Sequence, residues 1–235
     1  MSITAARPAR SERRLRLPRP LVITVGILKG GAGKSTSTFF LAVFFAKVYG
    51  LRVLVVDADP LSQTCYSWYR NLKRRGVELP FTLVTFPSPH VDDCIDDHVE
   101  QGAYDVIIVD TGGESPDIFK AALRKSHELV IAVAPTPGEL ERVPPTFKAA
   151  EEAAQDVAHE IGVRVLLTKV PSPPSNEGRD ARAWLGRHDF EAFQAQATNW
   201  KWYRQAIHSE NPLHDLAEYE DVGDELVAPY DEDAA

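Results

Sequence analysis

The sequence predicts an α/β fold: a mostly parallel central sheet with helices on both faces. Three observations carry this. Apolar runs at 21–28, 53–56, 106–110, 129–134 and 163–167 are continuous rather than alternating, as strands buried on both faces require. Helix-length stretches separate them, the βαβ spacing of a parallel sheet. The first run flows into a glycine-rich loop and two others close on Asp57 and Asp110, at the carboxyl ends where such sheets form their ligand crevice.

Taken in order, residues 1–20 hold six arginines, one glutamate and three prolines without apolar periodicity, which predicts a disordered basic arm. The strand at 21–28 leads into Lys29-Gly30-Gly31-Ala32-Gly33-Lys34-Ser35-Thr36, and a helix is expected over 38–48. Strand, glycine loop and helix together are the setting of a phosphate-binding P-loop. Glycines let successive N–H groups curl around an anion, and the helix aims its positive end at the same point. Lys34 would reach the β- and γ-phosphates of ATP, and the Ser35 hydroxyl would ligate Mg²⁺.

The loop departs from the general pattern in one way. Its usual first glycine is Leu28, and a second lysine, Lys29, stands beside the glycines. This KGGxGKS/T form resembles the deviant Walker A loop of the ParA/MinD family of P-loop ATPases. The resemblance implies that Lys29 crosses a dimer interface to the partner's phosphates, so that ATP holds a sandwich homodimer together. Residues 57–64, DADPLSQT, resemble the family's Walker A′ segment. By that resemblance Asp59 polarises the attacking water and Asp57 helps order Mg²⁺. The run 106–110 reads as a Walker B strand whose Asp110 holds a Mg²⁺-bound water. Thr111-Gly112-Gly113 departs from the family's Thr-Pro-Pro and predicts a looser turn there. Thr168 and Lys169 fall where family members contact the nucleotide base.

Further along, a helix is expected over 62–75 with cations at its end, and a strand over 81–86. Cys94 and His98 within 91–98 have metal-like spacing, but no second pair follows, so that segment reads as an acidic, solvated helix face. A helix over 139–159 carries Pro144-Pro145, which would kink or restart it. A Pro/Ser/Gly-rich loop at 171–178 precedes a helix bearing Arg179, Arg182, Trp184 and Arg187, then a short strand near 190–195. Residues 198–207 open another helix, where aromatics interleave with Lys201 and Arg204. These four bases, Arg179, Arg182, Lys201 and Arg204, are the candidates for DNA contact; the competing reading packs Trp200 and Tyr203 in a core or dimer seam. An acidic helix over 214–227 and an acidic tail at 228–235 close the chain.

Composition narrows the function. A single ATPase domain is expected over 21–227. Two cysteines give no disulfide framework, and a reducing cytoplasm is the expected setting. The net charge of −8 is local: ten acids and no Lys or Arg follow from Glu210 onward, leaving 26 bases against 24 acids before it. Non-specific DNA therefore stays open as a partner. The acidic end is the wrong charge for a lipid-binding helix, and no membrane partner is expected. The resemblance is nearest to short ParA-type ATPases without an N-terminal helix-turn-helix. It implies slow ATP hydrolysis stimulated by a ParB-like or other cargo-binding protein, ATP-dependent association with the nucleoid, and segregation of a plasmid or chromosome. Two alternatives stand beside it: the same ATPase positioning a protein cargo, and a metabolic P-loop synthetase.

Overall fold

A computed structural model describes residues 14–28, 33–205 and 208–232. Six strands, β1 (Leu21–Gly26), β2 (Val53–Asp57), β3 (Thr82–Thr85), β4 (Val106–Asp110), β5 (Glu128–Val133) and β6 (Gly162–Leu167), form one sheet in the order β3-β2-β4-β1-β5-β6. Every neighbouring pair is parallel, and the register sets Asp57 of β2 level with Asp110 of β4. The chain winds one way from β1 to β2 and β3, then the other way to β5 and β6. The strand order therefore reverses beside β1, where the glycine loop begins.

Ten helices are seen among the described residues: α1 (Lys34–Val48), α2 (Thr64–Arg74), α3 (Val91–Gln101), α4 (Pro116–Leu123), α5 (Pro137–Leu140), α6 (Val143–Ala154), α7 (Glu177–Arg187), α8 (Lys201–Gln205), α9 (Asn211–His214) and α10 (Tyr219–Val227). Strand alternation divides the core. Leu21, Ile23 and Val25 pack with α1, α2 and the chain beyond 193. Val22, Leu54 and Ile107 pack with α3 and α4 on the other face. Around β5 and β6, Leu129, Ile131 and Val165 meet α4, α6 and α7.

Helix α1 is buried nearly all round, because the sheet lies beneath it and α2 and α10 cover it. Phe39 stacks on Trp68 with ring centroids 3.8 Å apart, and Phe40 stacks on Tyr219 at 4.8 Å. Gly223 lets α10 lie directly on α1: a Cβ there would sit 2.3 Å from the Phe44 ring.

The structure redraws several expected elements. Helix α1 starts at Lys34 rather than residue 38, because the Gly33 carbonyl already accepts the Ser37 N–H at 2.9 Å. The 139–159 helix divides into α5 and α6, with proline in the first turn of each, where a missing N–H costs nothing. Residues 190–195 make only an isolated parallel bridge, Val165 to Ala192. The closing helix is α9 and α10 with a turn between them. Helix α4, which covers β1 and β4, has no counterpart in the sequence reading. Its apolar residues Ile118, Phe119, Ala121, Ala122 and Leu123 occupy barely two turns, too short for a helical period to stand out.

The basic arm and acidic tail meet. Leu15 bridges Asp231 antiparallel, the Arg16 N–H donates to Tyr230 O at 2.8 Å, and the Glu232 N–H donates to Arg14 O at 2.9 Å. Leu15 and Leu17 pack against the core, apolar contacts that the charge of this stretch hides. Residues 14–20 thus lie along the domain; the remainder of the arm lies outside the described residues. No helix among the described residues is long and apolar enough to cross a membrane.

Candidate nucleotide site

The site is built at the carboxyl edge of β1, β2 and β4. Lys29, Gly30, Gly31 and Ala32 lie outside the described residues. The two flanks of their loop are fixed. On one side the Leu28 N–H donates to Thr146 Oγ1 of α6 at 3.1 Å. On the other, Gly33 is left-handed (φ +80°) and caps α1.

Lys34, Ser35 and Thr36 form the first turn of α1, facing this edge. Lys34 is 8% exposed. Burial pulls its ammonium below the ordinary value, while the charges of Asp110, Asp59 and Glu139 act against that. The three acids thus oppose the burial that would otherwise discharge the ammonium in this poorly solvated place.

Asp57 and Asp110 close adjacent parallel strands, and both are buried. Burial raises Asp57, and N–H donors from Tyr66 (2.9 Å) and Asp59 (3.2 Å) only moderate it. Asp110 has no such support: neither oxygen has a well-formed hydrogen bond. The Ser35 hydroxyl and the Cys65 thiol lie near enough to temper its charge. Burial, then the neighbouring charge of Asp57, push its carboxyl up to about 7. Cys65 is itself held as a thiol by burial and by these acids, and it donates to Ser35 O at 3.3 Å.

Two neighbouring buried carboxylates, one without a partner, beside a serine hydroxyl make a hard-oxygen environment that fits Mg²⁺. Among the described residues no three His, Cys, Asp or Glu side chains gather closely enough to cage a metal alone. That also suits Mg²⁺, which keeps waters and takes phosphate oxygens rather than an all-protein cage.

Asp59 differs from its neighbours. Burial alone would raise it, but donation from Ser62 Oγ (2.5 Å), from the N–H groups of Leu61 and Ser62, and the Lys34 charge outweigh burial and hold it below the ordinary range. Gly112 makes room for it: a Cβ there would stand 2.9 Å from Asp59 Oδ1. The glycine pair expected to loosen this turn instead admits a close approach between the β2 and β4 loops.

Thr168 and Lys169 follow β6. With Gly33, Thr36, Asn199 and Tyr203 they line a cleft of about 90 Å³ beside the loop. Of the candidate DNA residues, Arg179 and Arg182 line one cleft. Arg179 is exposed and pairs with Asp180. Arg182 donates to Phe193 O and to Gln194 O (3.0 Å), so its guanidinium holds the 193–196 segment. Lys201 is exposed on α8. Arg204 falls on the same helix, and its side chain lies outside the described residues. Glu139, Thr146, Ser37 and Tyr219 are functional neighbours that sequence reasoning missed. Glu139, Thr146 and Tyr219 come from segments far along the chain, and no motif marks any of the four.

The model of the CobQ/CobB/MinD/ParA nucleotide-binding domain matches residues 23–185. The chain belongs to this family. A relative from Gloeobacter kilaueensis, maintenance of carboxysome distribution protein A, is 30% identical over 88% of this chain and 94% of its own length. Two solved structures share the fold. A putative plasmid partition protein of Borrelia burgdorferi bound to AMPPNP is 18% identical, with TM-score 0.62 over 86% of this chain and 96% of the other. The cobyrinic acid a,c-diamide synthase of Mycobacterium smegmatis, with ATP analogue and magnesium, is 15% identical, with TM-score 0.72 over 91% and 96%. As a member of this family the chain carries a nucleotide-binding domain, and the ParA/MinD proteins are its kin.

Proposed function

We propose that the chain is a ParA-like nucleotide switch. ATP brings two copies together, the dimer binds DNA without sequence preference, and a cargo-bound partner stimulates hydrolysis and release to segregate a plasmid or chromosome. The observation that carries the ATPase part is the convergence on one buried edge of Lys34, Asp57, Asp59 and the unpartnered Asp110. Lys34 would neutralise charge growing on the β–γ bridge, the largest service a protein renders to phosphoryl transfer. Ser35, Asp57 and Asp110 would hold Mg²⁺, which supplies charge neutralisation to the phosphates when bound. Asp59 is held below the usual carboxylate range, so it is a weak base suited to orienting water rather than removing its proton. Lys29 would reach the partner copy's phosphates, so that only the triphosphate completes both contacts. Thr168 and Lys169 would border the base.

A second reading keeps this chemistry and changes the cargo to a protein assembly. The relative named for carboxysome distribution favours it, aligning over nearly its whole length.

The test is DNA retention with ATP, ADP or no nucleotide across rising salt. A steep salt slope confined to the ATP state supports the switch. Lys29→Ala should still bind ATP as a monomer yet lose DNA retention, and Asp59→Ala should trap the ATP dimer. DNA binding equal in all nucleotide states would sink the reading.

A further inference from the structure

The phosphate loop is held from an unexpected quarter. The Gly33 carbonyl accepts two donors from Ser37, its N–H at 2.9 Å and its Oγ–H at 3.1 Å. With its proton given to Gly33, Ser37 Oγ accepts from the Tyr219 hydroxyl at 2.8 Å. Tyr219 is 1% exposed, and burial raises its hydroxyl well above the ordinary value, so the donor is always protonated. It stands in the first turn of α10, beyond residues 23–185 that the family model matches.

Its neighbour faces the other way. Glu218 accepts from Trp200 Nε1 at 2.9 Å through one oxygen and from Tyr203 O–H at 2.6 Å through the other. Trp200 is 42% exposed, a large apolar side chain at the surface next to Lys201. Tyr203 meets Phe40 edge-on at 5.2 Å and Tyr219 edge-on at 5.6 Å. The turn is itself fixed, for Ala217 has φ +44° and its N–H donates to Asp215 Oδ1 at 2.8 Å. One step of backbone, 218 to 219, therefore grips the phosphate loop with one side chain and an exposed aromatic corner with the next.

We propose that Tyr219 is a positioning residue of the phosphate loop, acting through Ser37 on Gly33, and that the Glu218–Tyr219 step couples occupancy of the loop to the Trp200–Tyr203 corner. The inference rests on the reading of the loop as the ATP site. It assigns a route from Gly33 through Ser37 and Tyr219 to Glu218 and the aromatic corner that Glu218 holds. A tyrosine that only fills the core would give no response at Trp200.

The experiment uses the full chain and Mg·ATP. Binding is measured by calorimetry, turnover by phosphate release, and the Trp200 signal as the emission difference between the protein and its Trp200→Phe variant. Tyr219→Phe, which keeps the ring, should weaken Mg·ATP binding about fivefold, the worth of one buried hydrogen bond. It should raise KM more than it lowers kcat and at least halve the nucleotide-dependent Trp200 signal. Ser37→Ala removes the same link from α1 and should reproduce all three changes, so the inference does not hang on one variant folding. Glu218→Gln should abolish the Trp200 signal. Wild-type affinity in both Tyr219→Phe and Ser37→Ala, or a Trp200 signal indifferent to nucleotide in the wild type, overturns the inference while leaving the ATP site standing. Failure of the wild type to bind Mg·ATP overturns both.

Discussion

Asp105 and Asp110 bracket a single five-residue strand and live in opposite circumstances. Asp105, ahead of β4, accepts the Arg52 N–H at 2.9 Å, its Nε at 3.0 Å and an NH2 at 2.8 Å. The Arg52 guanidinium holds its carboxyl below the ordinary range, and the pair is partly solvated. Asp110, at the end of β4, is 1% exposed, without a well-formed hydrogen bond, and pushed up to about 7. At the amino edge of the sheet the chain supplies its own counter-charge. At the carboxyl edge the charge of Lys34 only partly offsets burial and the neighbouring charge of Asp57, which leaves a deficit that a cation can fill.

The sharpest way to break this contrast is Asp110→Asn. An acid whose folded pKa lies above its ordinary value of 3.8 binds protons more readily folded than unfolded, so its ionised form opposes folding. That penalty is absent near pH 4, grows as pH rises toward 7, and is complete above it. With EDTA at pH 8, the asparagine variant should therefore be more stable than wild type, by roughly 4 kcal/mol at most for a shift of this size. Near pH 4 the two should unfold together. Mg·ATP, which should stabilise the wild type strongly, should do little for the variant. Urea unfolding with EDTA and with Mg·ATP at both pH values checks this, and a variant less stable than wild type at pH 8 would refute the assigned deficit.

The contrast also explains what could be read without coordinates. Buried strands, the glycine loop and the aspartates at strand ends are local in sequence, and each carries its meaning within a few residues. Gly112 shows in the sequence as a departure from a pattern, but its use, leaving room for Asp59 where a Cβ would crowd it, depends on two loops 53 residues apart. Tyr219 reaches the loop across 182 residues, and nothing near it in sequence hints at Ser37. For Arg182 the sequence shows a charge and hides the carbonyls of Phe193 and Gln194 that accept from it.

A smaller effect is expected at His127, another polar group of the amino edge. Its Nδ1 accepts the Val22 N–H at 3.1 Å, and it shares a cleft with Arg19, Lys125 and His159. Burial, then the nearby His159, hold it below its ordinary value of 6.5. The folded state thus resists protonation. The contribution is whole above pH 6.5 and is lost as pH falls through 6.5 toward the lower folded value. Between pH 7.5 and 5 the wild type should lose more stability than His127→Asn, whose amide oxygen accepts at any pH. The difference should be about 1 kcal/mol, one acceptor to a buried N–H. Parallel pH profiles would show that another group carries the acid sensitivity.

The smallest effect belongs to Arg52→Ala. Three donors converge on Asp105, yet the guanidinium is well exposed, and water competes for both partners. Exposed pairs of this kind contribute little and are screened by salt. A drop in midpoint of no more than about two degrees is expected at low salt, vanishing in 0.5 M NaCl. ATP turnover should match wild type, since the pair stands at the far end of β4 from Asp110. A large salt-independent loss would mean that the amino edge is as dependent on a single charge as the carboxyl edge, and the contrast between the two aspartates would fail.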